Sequence, residues 1–436
     1  MAELSRYFPS GSAVADAARA TFSTVATGME PSRILAIAYS VREAIARGAQ
    51  VTQFTVGDFA PDQFPIPREL EQGITDALRA GQTNYPPADG VPELRKAIAQ
   101  DYRDTLGLDY PLDSVVVASG ARPGLYAIYR CLVEPGETVV APVPSWNNDS
   151  YAQLVGAEFV PVPSKAEDGF MPTAEGLAPH LRTARLLVIC SPLNPCGTMI
   201  KRDQLAAICT LVLDENTRRE AAGERSLYLV YDQVYRLLTF GPEHITPVQV
   251  APEMARYTIF CDAISKSFAA TGLRVGWVVA PPFIAERLRA LLTHMGAWAP
   301  RPEQRAVARL LENPEAVARF LAHLKAGIQQ RLEVIHQAFK GFAAEGLPVA
   351  AVAPEGAIYL SAYFGLEGRP GLPDEDAVRL YLLEAAGCAV VPFSAFGDET
   401  NRGWWRFSVG AVSVEDTERC MQRLGVALRK AVGQAE

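Results

Sequence analysis

Seven short apolar runs, rich in valine, leucine and isoleucine, recur through the middle of this chain: 115–118, 138–141, 158–162, 186–190, 227–231, 257–261 and 275–280. Most lack the polar alternation of a half-exposed strand, so they have to be buried on both faces. Most are separated by stretches long enough for a helix, notably 123–133 and 202–221. Strands alternating with helices cross over and pair in parallel. The pattern predicts an α/β fold with a mostly parallel sheet flanked by helices. Only the last two runs are separated by what reads as a loop.

After residue 300 the pattern changes. Helical stretches 304–311 and 316–342 meet at Asn313-Pro314, where proline disfavours continuation. Strand-like segments at 357–363, 388–391 and 404–409 follow, then a helix over 414–432. This predicts a smaller α+β domain, joined in space by a helix over 36–47. The expected division is an N-terminal arm and part of the small domain (1–50), a large domain (51–310) and a small C-terminal domain (311–436).

Charge and cysteine usage narrow the partners. A net charge of −8 argues against a nucleic-acid backbone, whose affinity rests on clustered lysine and arginine. The seven cysteines are dispersed, with no Cys-x-x-Cys pair, which argues against a zinc site or a disulfide framework and for reduced thiols in the cytoplasm. No apolar run reaches the roughly 20 residues of a membrane span, and the N-terminus has no basic stretch leading into an apolar one.

In open α/β sheets ligands bind at the carboxyl ends of the strands. Four such ends carry notable residues. Gly120, Ala121 and Arg122 follow the first run, with Pro123 opening a helix; this is either an ordinary turn or a cup for an anion. Asn194 sits in a segment stiffened by Pro192, Pro195 and Gly197, which fits a structured turn as well as a rigidly held amide. Asp232 either caps a helix or bonds a cationic ring nitrogen. Lys266 lies between Ser265 and Ser267, eight residues before Arg274. Most lysines are solvated surface charges, but one shielded from water beside other cations can act as a nucleophile. A phosphate cup, an acid, a rigid amide and a lysine, all at strand ends, together suit a phosphorylated aldehyde cofactor.

These motifs, in this order, resemble the fold-type I enzymes that use pyridoxal 5′-phosphate (PLP), and among them the class I/II aminotransferase family, aspartate aminotransferase-like. The resemblance runs from Gly57 to about Gly410. It includes the segment Asn84 to Arg95 around Tyr85, Asn194 to Thr198, Asp232 to Tyr235, Ser265-Lys266 with Arg274, Val391 to Gly397, and Arg406 to Ser408. Cys196, Gln233, Phe393 and Arg122 depart from the commoner pattern. None of these departures removes a catalytic group.

The resemblance implies PLP as cofactor and transfer of an amino group between an L-amino acid and a 2-oxo acid by a ping-pong mechanism. Lys266 is then the Schiff-base lysine and proton carrier, Asp232 the partner of the ring nitrogen, and Asn194 with Tyr235 the partners of the ring hydroxyl. Trp146 would stack on the ring, although its position alone fits a core aromatic nearly as well. Ala121, Arg122, Ser265 and Arg274 would hold the phosphate. Tyr85 would reach the cofactor of a second subunit, implying a homodimer, with the Ala/Ser-rich N-terminus packed on the partner. Arg406 would clamp the substrate α-carboxylate, assisted by the backbone at Gly57. A dicarboxylic substrate needs a further cation, for which Arg33 and Arg301 are candidates. An aromatic one needs an apolar pocket, for which Trp298, Phe393 and Tyr359 are candidates. The alternative is β- or γ-elimination on the same scaffold. A PLP-sensing DNA-binding regulator is disfavoured, because the fifty-odd residues before Gly57 contain no basic recognition helix.

Overall fold

The computed structural model describes residues 4–8, 13–14, 17, 21–29, 31 and 33–433. Much of the N-terminal stretch expected to pack on a partner lies outside these residues. Among the described residues the strands are β1 (Thr52–Gln53), β2 (Val115–Ala118), β3 (Thr138–Val143), β4 (Glu158–Pro163), β5 (Ala184–Cys190), β6 (Tyr228–Asp232) and β7 (Thr258–Ala263). They continue with β8 (Gly276–Val279), β9 (Val349–Ala351), β10 (Tyr359–Phe364), β11 (Cys388–Ala389), β12 (Val391–Pro392) and β13 (Trp404–Ser408).

Seven strands form one sheet in the order β2-β8-β7-β6-β5-β3-β4. Every neighbouring pair is parallel except the two that involve β8. Alternate residues of each strand feed opposite cores, as the two-residue side-chain period requires. Val117, Ile189, Leu229, Tyr231 and Phe260 pack into one core. Val116, Val188, Val230, Ile259 and Cys261 pack into the other. The sheet is covered on both faces, as the uninterrupted apolar runs predicted.

The helix after β2 spans Ala121–Leu132, two residues earlier than the proline suggests. Pro123 is tolerated there because the N–H groups of a helix's first turn have no intrahelical partner. Between β7 and β8 the chain forms a single helical turn, Ile264–Ser267, and a short turn at Thr271–Leu273, where the sequence suggested only a loop. That detour reverses the chain and makes β8 antiparallel to β7.

A four-stranded antiparallel sheet, β12-β13-β10-β9, builds a third core around Tyr359, Leu360, Trp405, Phe407, Leu424 and Leu428. Thr52 of β1 pairs in parallel with Cys388 of β11. The helix Arg33–Ala46 packs Val41 and Ala44 against Leu383 and Ala389. The helix Pro314–Ala344 begins among the first core at Ala316 and runs into the third through Leu324, Ile328, Ile335 and Phe339. Asn313 caps its start, its side chain accepting from the Ala316 N–H. No helix among the described residues is long and apolar enough to cross a membrane.

Candidate active site

Strand register sets the site. Cys190, Asp232 and Cys261 are aligned partners across β5, β6 and β7. The residues just beyond them therefore meet at one edge of the large sheet. The small sheet closes over that edge, bringing β10 and β13 against the loop that follows β5.

Lys266 occupies the helical turn directly after β7, and its Nζ donates to the Gly57 carbonyl. Burial pushes its pKa down from 10.5 to about 8; Asp58 opposes the shift, while Arg406, Arg122 and Arg274 reinforce it. Gly57 is glycine for a spatial reason. A Cβ there would stand 2.6 Å from the Tyr359 hydroxyl.

Asp232 ends β6 with one carboxylate oxygen accepting the Val234 N–H at 3.2 Å. Among the described residues no cation pairs with it. Burial, aided by Asp262, raises its pKa from 3.8 to about 7 despite the Val234 hydrogen bond. A carboxylate withdrawn from water is stabilised in its charged form by a cationic N–H donor.

Arg406 is its counterpart of opposite sign. It is 2% exposed, yet no acid among the described residues pairs with it. One terminal nitrogen donates to Asn194 Oδ1 at 3.2 Å and the other to the Thr55 carbonyl at 2.6 Å, while its buried Nε has no partner. The guanidinium lies over the rings of Tyr359 and Phe396, 4.9 and 4.8 Å from their centroids. The Tyr359 hydroxyl is 2.8 Å from that of Tyr235. Asn194, Arg406, Tyr359 and Tyr235 thus form one continuous wall.

Opposite lies a cradle for an anion. The helix Ala121–Leu132 presents its N-terminus at Gly120, whose φ is 86°. A side chain on Gly120 would strike the Arg274 guanidinium, and one on Gly276 would approach the Gly120 backbone to 2.5 Å. Arg274 donates only to carbonyls, Thr271 at 2.8 Å and Ser119 at 3.2 Å, and has no acid partner among the described residues. Ser265 is buried, and Ala121 lies at the helix start. The Arg122 guanidinium lies 4.1 Å from the centroid of the Trp146 ring.

The remaining expectations concern Tyr85, the candidate distal cations and the candidate pocket walls. Tyr85 is 80% exposed and packs on Trp298, with ring centroids 5.1 Å apart. Arg33 pairs with Glu399 at the surface, 3.4 Å away, and Arg301 donates to Asn84. Of the candidate pocket walls, Tyr359 lines the cleft, whereas Phe393 is buried against Phe170 and Trp404. Asp58 escaped the sequence reading as a site residue. It accepts from the Thr271 hydroxyl at 2.5 Å, linking the segment of Gly57 to that of Lys266. Its only signal is adjacency to Gly57.

Comparison with known proteins gives the family. Residues 49–424 match the model of the family "Aminotransferase class I and II". The aspartate/prephenate aminotransferase of Thermus thermophilus is 30% identical over 92% of this chain and 97% of its own length. The arginine–pyruvate transaminase of Pseudomonas aeruginosa is 29% identical over 92% and 95%. Among solved structures, the aspartate aminotransferase of Rhizobium meliloti superposes with a TM-score of 0.85 at 25% identity, covering 94% of this chain and 98% of the other. That of Thermus thermophilus, solved with maleate, gives 0.83 at 26% identity over 93% and 99%.

The chain belongs to the class I and II aminotransferase family, a family of PLP-dependent enzymes of fold-type I. It is an aminotransferase, moving an amino group between an amino acid and a 2-oxo acid. The relatives named above carry out amino-group transfer, and none supports the elimination alternative.

Proposed function

We propose that this aminotransferase binds PLP in the cleft between Asp232 and Lys266, and that Arg406 clamps the substrate α-carboxylate. The observation that carries the reading is the set of charged groups left without counter-charges among the described residues: the half-buried Asp232 carboxylate and Arg274 guanidinium, and the buried guanidinium of Arg406. These match in sign and order a ring N–H, a phosphate and a carboxylate. When bound, PLP supplies an aldehyde for the lysine and an electron-accepting ring that acidifies the substrate α-proton.

Each protein group then has a defined task. Asp232, ionised by a cationic neighbour, holds the ring nitrogen protonated. Asn194 and Tyr235 donate to the ring hydroxyl, with the Tyr359 hydroxyl fixing that of Tyr235. Gly120, Ala121, Arg122, Ser265 and Arg274 hold the phosphate by helix-end N–H groups, hydroxyl and guanidinium. Trp146 covers the ring. Lys266, whose pKa burial lowers to about 8, holds more neutral amine near neutral pH than an ordinary lysine does, and that amine moves the proton to and from the substrate α-carbon. Arg406 already spends one N–H on Asn194 and another on Thr55. Its remaining N–H groups, including that of Nε, are available to a carboxylate, and the Gly57 backbone borders the same space.

The reading extends to a homodimer in the cytoplasm. Tyr85, standing out from the surface on Trp298, is available to a second subunit's phosphate. Exposed Leu4, Phe8, Phe22 and Tyr39 offer apolar surface to the same partner. Unpaired, dispersed cysteines fit a reducing compartment. We also propose the division into a large domain at 51–310 and a small one at 311–436 joined by 1–50. The pairing of Thr52 with Cys388 favours moving the first boundary a few residues later.

Borohydride reduction of the purified enzyme followed by peptide mapping tests the assignment. The pyridoxyl group is expected on Lys266. A label on another lysine, or no bound PLP after reconstitution, overturns it. A panel of amino donors followed by half-reaction spectra then assigns the substrate.

A further inference from the structure

The segment 54–60 is a strap fastened to the end of β13. The Ser408 N–H donates to the Phe54 carbonyl at 3.0 Å, and the Ala60 N–H to the Gly410 carbonyl at 3.0 Å. The Arg406 guanidinium holds the Thr55 carbonyl, and the Ser408 hydroxyl donates to that of Val56 at 2.8 Å. Gly410 lies so close that a Cβ there would stand 2.1 Å from the Asp58 carbonyl oxygen. Two further bonds tie the strap to the loop of Lys266. One runs from Lys266 Nζ to the Gly57 carbonyl, the other from the Thr271 hydroxyl to Asp58 Oδ1. Thr271 lies between Lys266 and Arg274, and its own carbonyl accepts from Arg274 at 2.8 Å.

The two ties differ in permanence. Once Lys266 is joined to the cofactor, its nitrogen no longer offers the Gly57 carbonyl the protons of a free ammonium. The bond from Thr271 to Asp58 involves no group that reacts. Asp58 Oδ1 also accepts the Phe59 N–H at 2.8 Å, a local turn that an asparagine makes as readily. Its Oδ2 accepts no hydrogen bond among the described residues. The charge of Asp58 has a separate use. The guanidinium groups of Arg406, Arg122 and Arg274 disfavour the ammonium form of Lys266, and the Asp58 carboxylate favours it. Tyr359 faces Asp58 from β10, but burial pushes its phenol up and keeps it neutral.

We propose that Asp58 is a positioning residue for amino-group transfer. Through Thr271 its carboxylate keeps the strap of Gly57 docked on the Lys266 loop, and it is the negative charge near the Lys266 ammonium when that lysine is free of the cofactor. The proposal rests on Lys266 as the Schiff-base lysine. The docked strap carries Gly57 and, at Thr55, the anchor of Arg406. The substrate clamp and the proton carrier therefore keep their spacing as the lysine attaches and releases. The carboxylate also offsets three nearby cations that would otherwise strip the released amine of its proton.

Asp58→Asn keeps an acceptor for both hydrogen bonds at Oδ1 and removes the charge. In cofactor-free protein the midpoint of Lys266 acylation against pH, read by mass spectrometry, should fall by roughly one pH unit, the low end of what a neighbouring opposite charge contributes. Asp58→Glu, which keeps the charge, should lower it less. Thr271→Val keeps the carboxylate and deletes the hydroxyl. In the holoenzyme it should raise KM for an amino donor about tenfold, the size of one hydrogen bond to a charged group, with kcat changed less. A midpoint in Asp58→Asn equal to the parent's, as a purely turn-forming residue would give, overturns the proposal. An unchanged KM in Thr271→Val does so too. Borohydride labelling of the parent reports on the lysine separately. A pyridoxyl label elsewhere refutes the assignment of Lys266, whereas a label on Lys266 with an unshifted Asp58→Asn midpoint refutes only the role of Asp58.

Discussion

Arg236 Nε donates to Asp262 Oδ2 at 2.6 Å, tying the loop after β6 to the end of β7. Arg236 directly follows Tyr235, and Asp262 precedes Lys266 by four residues. The side chains are 3% and 1% exposed. Arg236 also reaches Asp101 and Thr105, so the helix Pro92–Leu106 anchors the same joint. The separation of Tyr235 and Lys266 is therefore held by a buried ion pair as well as by strand pairing.

Removing that acid should be costly. Asp262→Ala leaves a buried guanidinium with only Asp101, and a loss of about 3 kcal/mol is expected, the low end of the range for breaking a buried pair. Urea unfolding with the slope unchanged checks it. A midpoint within error of the parent would mean the pair does not lock the joint.

Asp232 should make the cofactor-free protein pH-sensitive. Its folded pKa, about 7, lies above the unfolded value near 3.9. The folded state then binds the proton more tightly. The resulting stability is fully present below pH ~3.9 and is lost as pH rises through about 7. Urea midpoints should therefore fall between pH 4.5 and 7.5 by more in the parent than in Asp232→Asn. A steeper fall in the variant would contradict the shift.

Lys266 should stand apart from the other lysines. In cofactor-free protein its pH-dependent acylation, read by mass spectrometry, should have a midpoint about 8, against an ordinary value of 10.5. Arg122→Ala removes one of the cations that depress it, so the midpoint should rise. An unshifted midpoint in the parent would remove the physical basis for its role as proton carrier.

Arg406→Lys should retain PLP but lose roughly 2–5 kcal/mol of productive substrate binding, the range for truncating one side of a buried charge pair. The loss should fall on every amino acid and oxo acid alike, because all carry the α-carboxylate. A planar fork is replaced by a point charge. Replacement of Arg33 or Arg301 should affect dicarboxylic substrates only, if either supplies the distal contact. Steady-state kinetics across mono- and dicarboxylic donors separates these outcomes.

Gly57→Ala should push the Tyr359 hydroxyl away from Tyr235, costing about 1–3 kcal/mol for an overpacked site. Tyr359→Phe removes the obstructing oxygen and should restore part of the melting temperature in the double variant. Absence of rescue would place the strain elsewhere.

The sequence made the large sheet and its strand ends readable, because buried parallel strands leave uninterrupted apolar runs. Asp232, Asn194 and Lys266 were visible for the same reason: each lies within five residues of the end of such a run. The direction of β8 was not readable, since the run at 275–280 has no feature that encodes orientation. The contact between Tyr235 and Tyr359 spans 124 residues, and that between Arg236 and Asp262 spans 26. Neither spacing has a periodic signature. Arg33 and Arg301 looked like free cations in sequence, but Glu399 and Asn84 come to them only through folding. Tyr85 is the opposite case, because its expected target belongs to another chain.

The helix Pro314–Ala344 has 31 residues, about 47 Å of continuous backbone. One end is packed under the large sheet and the rest against the small one. Melting either sheet's core would strip part of this helix of its packing, and short unsupported helices are marginal in water. The two halves of the molecule should therefore share a single unfolding transition. Neither should survive as an autonomous fragment when the chain is cut within that helix.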